Sequence, residues 1–306
     1  MSAAVFACMR NEGPFLMEWV AYHRVIGFDR VLVATNTCTD GSDVLLEALM
    51  AGGALTHLPH VPPRGTPPQD SGMRAALAYL RNGAPDWLLH IDADEFLNIH
   101  SDYTLPDLLA LGAQAHVIAL PWRAFGDSGH TRWPGATLPQ FTRCEAGPTP
   151  ETTKFKSLFR PAAFAHAHDH MPLGPRLPAP RVVAANGADL DPAPLLSHRH
   201  HSRYRPLDIS LAPGRAVINH YAIRSTDTYR LRAQRGDGQG KDATEKYRVG
   251  GRWHRIANRN EAEDRSILRH WPATQAELAR LRALPGVADA EAATLADFTA
   301  RLEALR

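Results

Sequence analysis

Three acids stand within four residues in Asp92-Ala93-Asp94-Glu95, directly after the apolar run Trp87-Leu88-Leu89-His90-Ile91. A run of that length reads as a buried strand that delivers carboxylates into a polar cleft at its carboxyl end. Side chains alternate along an extended chain, so Asp92 and Asp94 are expected on one face and Glu95 on the other. Two carboxylates that close repel each other when both are ionised. A divalent cation resolves the conflict, and hard oxygen ligands suit Mg²⁺ or Mn²⁺. The same residues also read as a solvated acidic turn, because the motif is short. The elements that position them must decide.

Those elements alternate. Ala3–Met9 is an apolar run that breaks at Arg10-Asn11-Glu12-Gly13-Pro14. A helix over residues 14–27 follows, with Phe15, Leu16, Trp19, Val20, His23 and Ile26 on one face and Gly27 as its stop. A second strand over Arg30–Thr35 ends in Asn36-Thr37-Cys38-Thr39-Asp40-Gly41-Ser42-Asp43. Ser42 caps a helix over about 43–51, and residues 55–58 form a short third strand. Apolar strands alternating with amphipathic helices imply an α/β fold, a mostly parallel sheet covered on both faces. Such sheets bind ligands at the carboxyl ends of their strands. Arg10 to Glu12, Asn36 to Asp43 and the acids at 92–95 all fall at that edge.

Beyond the Pro-rich loop at 59–68, Gln69-Asp70-Ser71 opens a helix ending near Gly83. A short helix over 105–111 is closed by Gly112, and a strand over 116–120 leads into a loop with Trp122, Phe125 and Asp127. Aromatic faces there could pack the core or stack on a sugar ring. Residues 154–160 alternate basic and apolar, which predicts a half-buried strand with a cationic face. The stretch 161–214 is irregular and carries His166-Ala167-His168-Asp169-His170 and His198-Arg199-His200-His201. It reads as long loops, and His-rich tracts can bind metal, although no paired cysteines or helical HExxH accompany them. A late strand covers 215–221, and a helix over 226–234 runs into the Gly-rich cationic turn ending at Lys241. Thr274 with Glu277 makes a capping box for a C-terminal helix, a second follows over 288–305, and no chemistry is expected of either.

Composition bounds the rest. The chain has 306 residues, 44% hydrophobic and 22% charged, with a net charge of +2. These are globular values, and the small charge gives no electrostatic reason to bind nucleic acid. Three widely spaced cysteines support neither a disulfide framework nor a zinc knuckle. No run approaches the roughly 20 apolar residues of a membrane span, so a cytoplasmic protein with no integral membrane segment is expected.

The chain resembles bacterial GT-A glycosyltransferases related to family 2, the subgroup with a DxDEF core. The matching pieces are Arg10-Asn11-Glu12-Gly13 with Glu18-Trp19-Val20-Ala21-Tyr22-His23, Asn36 to Ser42, and Trp87 to Leu97. The Trp122 to Gly129 loop, residues 154–161, and Asn219-His220-Tyr221 with Arg224-Ser225 extend the resemblance over roughly residues 3–270. It implies a GT-A domain over 1–270, with a nucleotide-binding half to about 122 and an acceptor- and metal-completing half to 270. A helical extension fills 271–306.

The resemblance also implies roles. Asp92 and Asp94 would bind the metal, with Asp92 also touching ribose, and His220 would complete the site. Arg10, Asn11, Glu12, Asn36, Asp40 and Gln69 would line the base and ribose pocket, and Arg224 and Lys241 would contact the diphosphate. Related enzymes often have Asp where this chain has Asn36, which loosens the base preference. Asn36 and Asp40 also fit ordinary turn chemistry before a helix. An inverting transferase needs a carboxylate base, for which Asp127 is the first candidate and Glu95 the second.

The expected activity is transfer of a sugar from a nucleotide donor, a UDP-sugar above others, to a carbohydrate or glycan-intermediate acceptor, with Mn²⁺ or Mg²⁺. The rival readings are a metal-dependent hydrolase joining the His clusters to Asp92 and Asp94, and an inactive GT-A fold that only binds.

Overall fold

The computed structural model describes residues 1–81, 83–150, 152–197, 199–235 and 243–305. The first half alternates as expected: β1 (Ala3–Met9), α1 (Gly13–Val25), β2 (Arg30–Thr35), α2 (Ser42–Ala51), β3 (Thr56–Pro59), α3 (Pro68–Leu80), β4 (Trp87–His90), β5 (Glu95–Ile99), α4 (Leu105–Leu111) and β6 (Val117–Ala124). The second half holds β7 (Arg143–Cys144), β8 (Phe155–Phe159), β9 (Phe164–Ala167), β10 (Pro172–Pro175), β11 (Val182–Ala184), β12 (Asp189–Leu190), α5 (Ala193–Leu196), α6 (Leu207–Ser210) and β13 (Ala216–His220). It closes with α7 (Thr226–Arg235), α8 (Ala243–Lys246), α9 (Arg252–Ala257), β14 (Ala262–Glu263), α10 (Trp271–Arg282) and α11 (Val287–Glu303).

The central sheet runs β12-β11-β6-β8-β4-β1-β2-β3. β1, β2, β3 and β4 pair in parallel, as do β6 with β11 and β13. The chain is therefore an α/β protein with a mostly parallel sheet. β8 is inserted antiparallel between β4 and β6, and this places Lys156 under the carboxyl edge. A small second sheet forms where β13 joins the end of β6 on one side and β5 on the other.

Two apolar clusters cover the two faces. One includes Trp19, Tyr22, Leu45, Leu281 and Val287, contributed by α1, α2, α10 and α11. The other includes Phe6, Met73, Phe159 and Phe164, beneath α3 and the β9–β10 hairpin. Truncating a fully buried ring such as Trp19 or Trp87 to Ala should cost about 3–5 kcal/mol. Helix α1 also serves β5: Trp19 Nε1 donates to the Glu95 carbonyl at 3.0 Å, and Tyr22 Oη donates to that of Leu97 at 2.8 Å. These bonds satisfy the strand edge that β13 leaves open.

Several local expectations give way. The run from Trp87 is two strands rather than one, because the chain leaves the sheet at His90 and turns through Asp92 to Asp94. Strand β6 continues past Pro121 to Ala124, since its last residues pair with β13. β8 is buried along its whole length, so its basic residues form no solvated face. The irregular stretch 161–214 contains β11, a strand of the central sheet. Helix α2 has Gly41 at φ 80 as its cap, and Ser42 is its first residue. Thr274 lies inside α10 and donates to the His270 carbonyl, while Glu277 pairs with Arg24 at 2.6 Å. Among the described residues, no helix is long and apolar enough to cross a membrane.

Two core imidazoles make the fold acid-sensitive. His23 Nδ1 donates to the Trp19 carbonyl at 2.8 Å and its Nε2 accepts the Leu97 N–H at 3.5 Å, so the neutral ring is fully used. Burial pushes His23 down to about 3 and, with Lys156 nearby, His90 down to about 4. Both rise to about 6.5 on unfolding, so below that pH the unfolded chain binds protons that the fold does not. The stability these two histidines contribute should be full above pH 6.5 and fall as the pH drops toward about 4, by up to about 1.4 kcal/mol per pH unit for each, and comparison with His23→Gln isolates the His23 share. Urea unfolding at about pH 7 and about pH 5 checks this. His23→Gln should start less stable and lose less on acidification.

Candidate active site

Five strands, β1, β2, β4, β6 and β13, end at one edge, and a cavity of about 240 Å³ opens there. Met9, Arg10 and Glu12 reach it from the end of β1, and Asn36 from β2. Asp92 and Asp94 come from the turn after β4, Trp122 from β6 and His220 from β13. Gln69 enters from the first turn of α3. Arg232, Lys246, Tyr247 and Trp253, from α7 to α9, close the far wall.

The two DxD carboxylates have different partners. Asp92 Oδ1 accepts from Gln69 Nε2 at 2.6 Å, and its Oδ2 accepts from Lys156 Nζ at 3.1 Å. Asp94 Oδ2 accepts from Arg232 Nη1 at 2.5 Å and lies 3.6 Å from His220 Nε2. Burial opposes ionisation of Asp94, but Arg232 and His220, with Arg224 behind, hold its carboxyl well below the usual range. Burial also lowers His220, so its imidazole is neutral and can act as a ligand. Asp94 and His220 thus fit one hard or borderline divalent ion between them. Asp92 is engaged elsewhere and is not part of that pair.

Beneath the acids lies Lys156, fully buried. Its Nζ donates to Asp92 Oδ2 at 3.1 Å and to the Asp169 carbonyl at 2.8 Å, and stands 3.1 Å from Glu95 Oε2. Burial alone would lower Lys156, but Asp92, Glu95 and Asp169 raise it above the usual lysine range. Glu95 Oε2 also accepts the Asp92 N–H at 2.7 Å, while its Oε1 has no hydrogen-bond partner. Burial, with Asp92 and Asp94 adding to it against Lys156, pushes Glu95 up to about 8.

Placement of the expected residues divides them. Arg10, Glu12, Asn36, Gln69, Asp92, Asp94 and His220 line the cavity. Asn11, Asp40 and Arg224 open instead on a neighbouring cavity of about 190 Å³, between the start of α1, the segment after β13, α7 and α11. Asn11 exchanges hydrogen bonds with Thr39, and Asp40 accepts the N–H groups of Gly13 and Ser42, so both hold loops. Arg224 is buried at φ 52 over the Phe15 ring, donates to the Ala93 carbonyl at 2.9 Å and stands 3.9 Å from Glu12 Oε2. It supports the acid turn from behind. Lys241 lies outside the described residues.

Neither expected base opens on the cavity. Glu95 is 0% exposed beneath Asp92. Asp127 is clasped by Asn258 and Asn260, whose amides donate to its oxygens at 2.8 and 3.3 Å. The loop after β6 is thereby tied down by a carboxylate that does not line the cavity. C-terminal α11, expected to carry no chemistry, supplies Asp297, Phe298 and Arg301 to the neighbouring cavity.

Sequence reasoning missed Arg232, Tyr247 and Trp253, and underrated Lys156. Arg232 sits in a polar helix with no motif around it. Lys156 carried a signal, a lysine at an inward position of an otherwise apolar strand.

No family model matches the chain. Among curated proteins it is 26% identical over 234 residues to a glycosyltransferase family 92 protein of Oryza sativa subsp. japonica, covering 75% of this chain and 34% of the relative. A family 92 protein of Ricinus communis is 31% identical over 136 residues, covering 42% of this chain and 24% of that one. One from Arabidopsis thaliana is 25% identical over 240 residues, covering 74% and 36%. The chain thus spans about a third or less of the length of these relatives. They agree with the sequence resemblance at the level of glycosyltransferases and carry the family 92 name rather than family 2. Partial structural overlaps include S. aureus TarS 1–349 in complex with UDP, at TM-score 0.35 and 18% identity over 53% of this chain and 48% of that one. Another is a Pyrobaculum calidifontis mannosyltransferase in complex with GDP-Man and Mn²⁺, at TM-score 0.32 and 18% identity over 39% and 34%.

Removing the buried cation tests the acid floor. Lys156→Met should destabilise the fold by about 3–5 kcal/mol in urea titrations, because it leaves the Asp92 carboxylate without its buried cation and beside the Glu95 carboxyl. Glu95→Gln in the same chain should recover part of the loss.

Proposed function

We propose that this chain is a metal-dependent glycosyltransferase of GT-A type that takes a nucleoside-diphosphate sugar, UDP-linked by preference. The observation that carries the reading is the pairing of Asp94 with His220 at 3.6 Å on the floor of a cavity whose wall bears Arg10, Lys154, Arg232 and Lys246. Two ligands for one ion beside four cations suit a diphosphate far better than a neutral substrate. The likeness to family 92 proteins supports the same class.

Asp94 and His220 would hold Mn²⁺ or Mg²⁺, and the ion would offset the charge developing on the departing diphosphate. Arg232 donates to the Asp94 oxygen nearest His220, so with an ion held there its guanidinium would be placed to meet a phosphate oxygen instead. Asp92 is 26% exposed on its side chain and keeps one oxygen toward Gln69, an arrangement suited to a ribose hydroxyl. Trp122 and Trp253, with Lys154 within 5.6 Å of both rings, offer flat faces on which a sugar ring can rest. The acceptor is proposed to be a carbohydrate or glycan intermediate. The hydrolase reading loses its ligand set, since the carboxylate grouped with His168 and His200 is Asp169 and not Asp92 or Asp94.

Calorimetry with UDP, with and without Mn²⁺, tests the assignment. Binding should need the ion, and Asp94→Asn should abolish the dependence. In a donor-hydrolysis or transfer assay the same variant should lose at least about 100-fold, about 2.7 kcal/mol of barrier. Absence of metal-dependent binding for UDP and GDP alike would overturn the reading.

A further inference from the structure

We propose that His168, Asp169 and His200 form a second cation site, suited to Zn²⁺, on the outer wall of the cavity and separate from Asp94 and His220. Their ligand atoms lie within 4.8 Å of one another. His168 is 3% exposed; its Nδ1 stands 2.9 Å from Asp169 Oδ1 and 3.2 Å from the His170 backbone nitrogen, while its Nε2, on the other edge of the ring, has no hydrogen-bond partner. An unpaired ring nitrogen in a buried position is costly unless something binds it. The His200 ring lies over that of His168, centroids 4.3 Å apart and planes 9° from parallel.

Two imidazoles and a carboxylate are the donor set of three-ligand zinc sites, in which a water takes the fourth position. Ligands at about 2.1 Å from a tetrahedral ion stand about 3.4 Å from each other, so the cluster must contract by about 1.4 Å at its widest. His200 is exposed and can make that movement by turning off the stack. The neighbouring groups are His170, kept neutral by burial with Nε2 3.7 Å from Asp169 Oδ2, and the cation Lys156, which binds the Asp169 carbonyl. Asp169 and His170 both line the donor cavity. An ion here would therefore stiffen the cavity wall and, through the Asp169 carbonyl, fix the Lys156 ammonium that holds Asp92.

The test is Zn²⁺ titration of the chelator-stripped full chain against a chromogenic competitor, with Co²⁺ as a spectroscopic substitute. One equivalent should bind, and Co²⁺ should give the visible bands of a tetrahedral site. His200→Ala removes only a surface side chain, so it probes the ligand without disturbing the core. It should weaken binding at least about tenfold and erase the Co²⁺ bands. Asp94→Asn should leave both unchanged. Failure to bind one equivalent, equal affinity in His200→Ala, or loss of Zn²⁺ in Asp94→Asn would each overturn the second site. Loss of Mn²⁺-dependent UDP binding with Zn²⁺ binding intact bears on the transferase reading alone.

Discussion

A single buried ammonium lets the acidic edge exist. Asp92 and Glu95 point toward one volume, and Lys156, reaching up from β8, supplies the positive charge between them. Taking a lysine fully out of water is expensive and is tolerated where its ammonium is paired and hydrogen-bonded. Here it donates to Asp92 and to the backbone of Asp169, with Glu95 Oε2 at 3.1 Å. The antiparallel insertion of β8 between β4 and β6 gives that lysine its place.

Around this floor the sheet arranges charge by topology. Parallel strands bring their carboxyl ends to one side, so groups far apart in sequence meet there, Arg10 with Asp94 and His220. Arg232 on Asp94 and Lys156 on Asp92 leave the acids neutralised in pairs. Arg224 steadies the turn from the rear by holding the Ala93 carbonyl.

Much of this was legible in the sequence. Local composition settled β1, α1, β2 and α4, because each is a continuous apolar or amphipathic run with a Gly or polar stop. The edge at which Arg10, Asn36 and Asp92 meet followed from alternation alone. What stayed hidden depends on long-range pairing. β11 is three residues long and becomes a strand only by joining β6. Lys156 looked like half of a solvated face, since the alternation of a strand does not say which side is covered. Asp127 looked reactive in its loop, but Asn258 and Asn260, more than a hundred residues later, turn it into a fastening. Asp92 and Asp94 reached a common cavity for a reason other than strand alternation, because the chain had already left the sheet.

Asp40 has a consequence of its own. One carboxylate takes the first amide of α1 and the first amide of α2, so two loops that frame the carboxyl edge of the sheet share a single rivet. Loosening it would let both loops drift together. A change at Asp40 would then act on binding through the two loops it joins, and binding assays alone would not separate that effect from the loss of a direct contact.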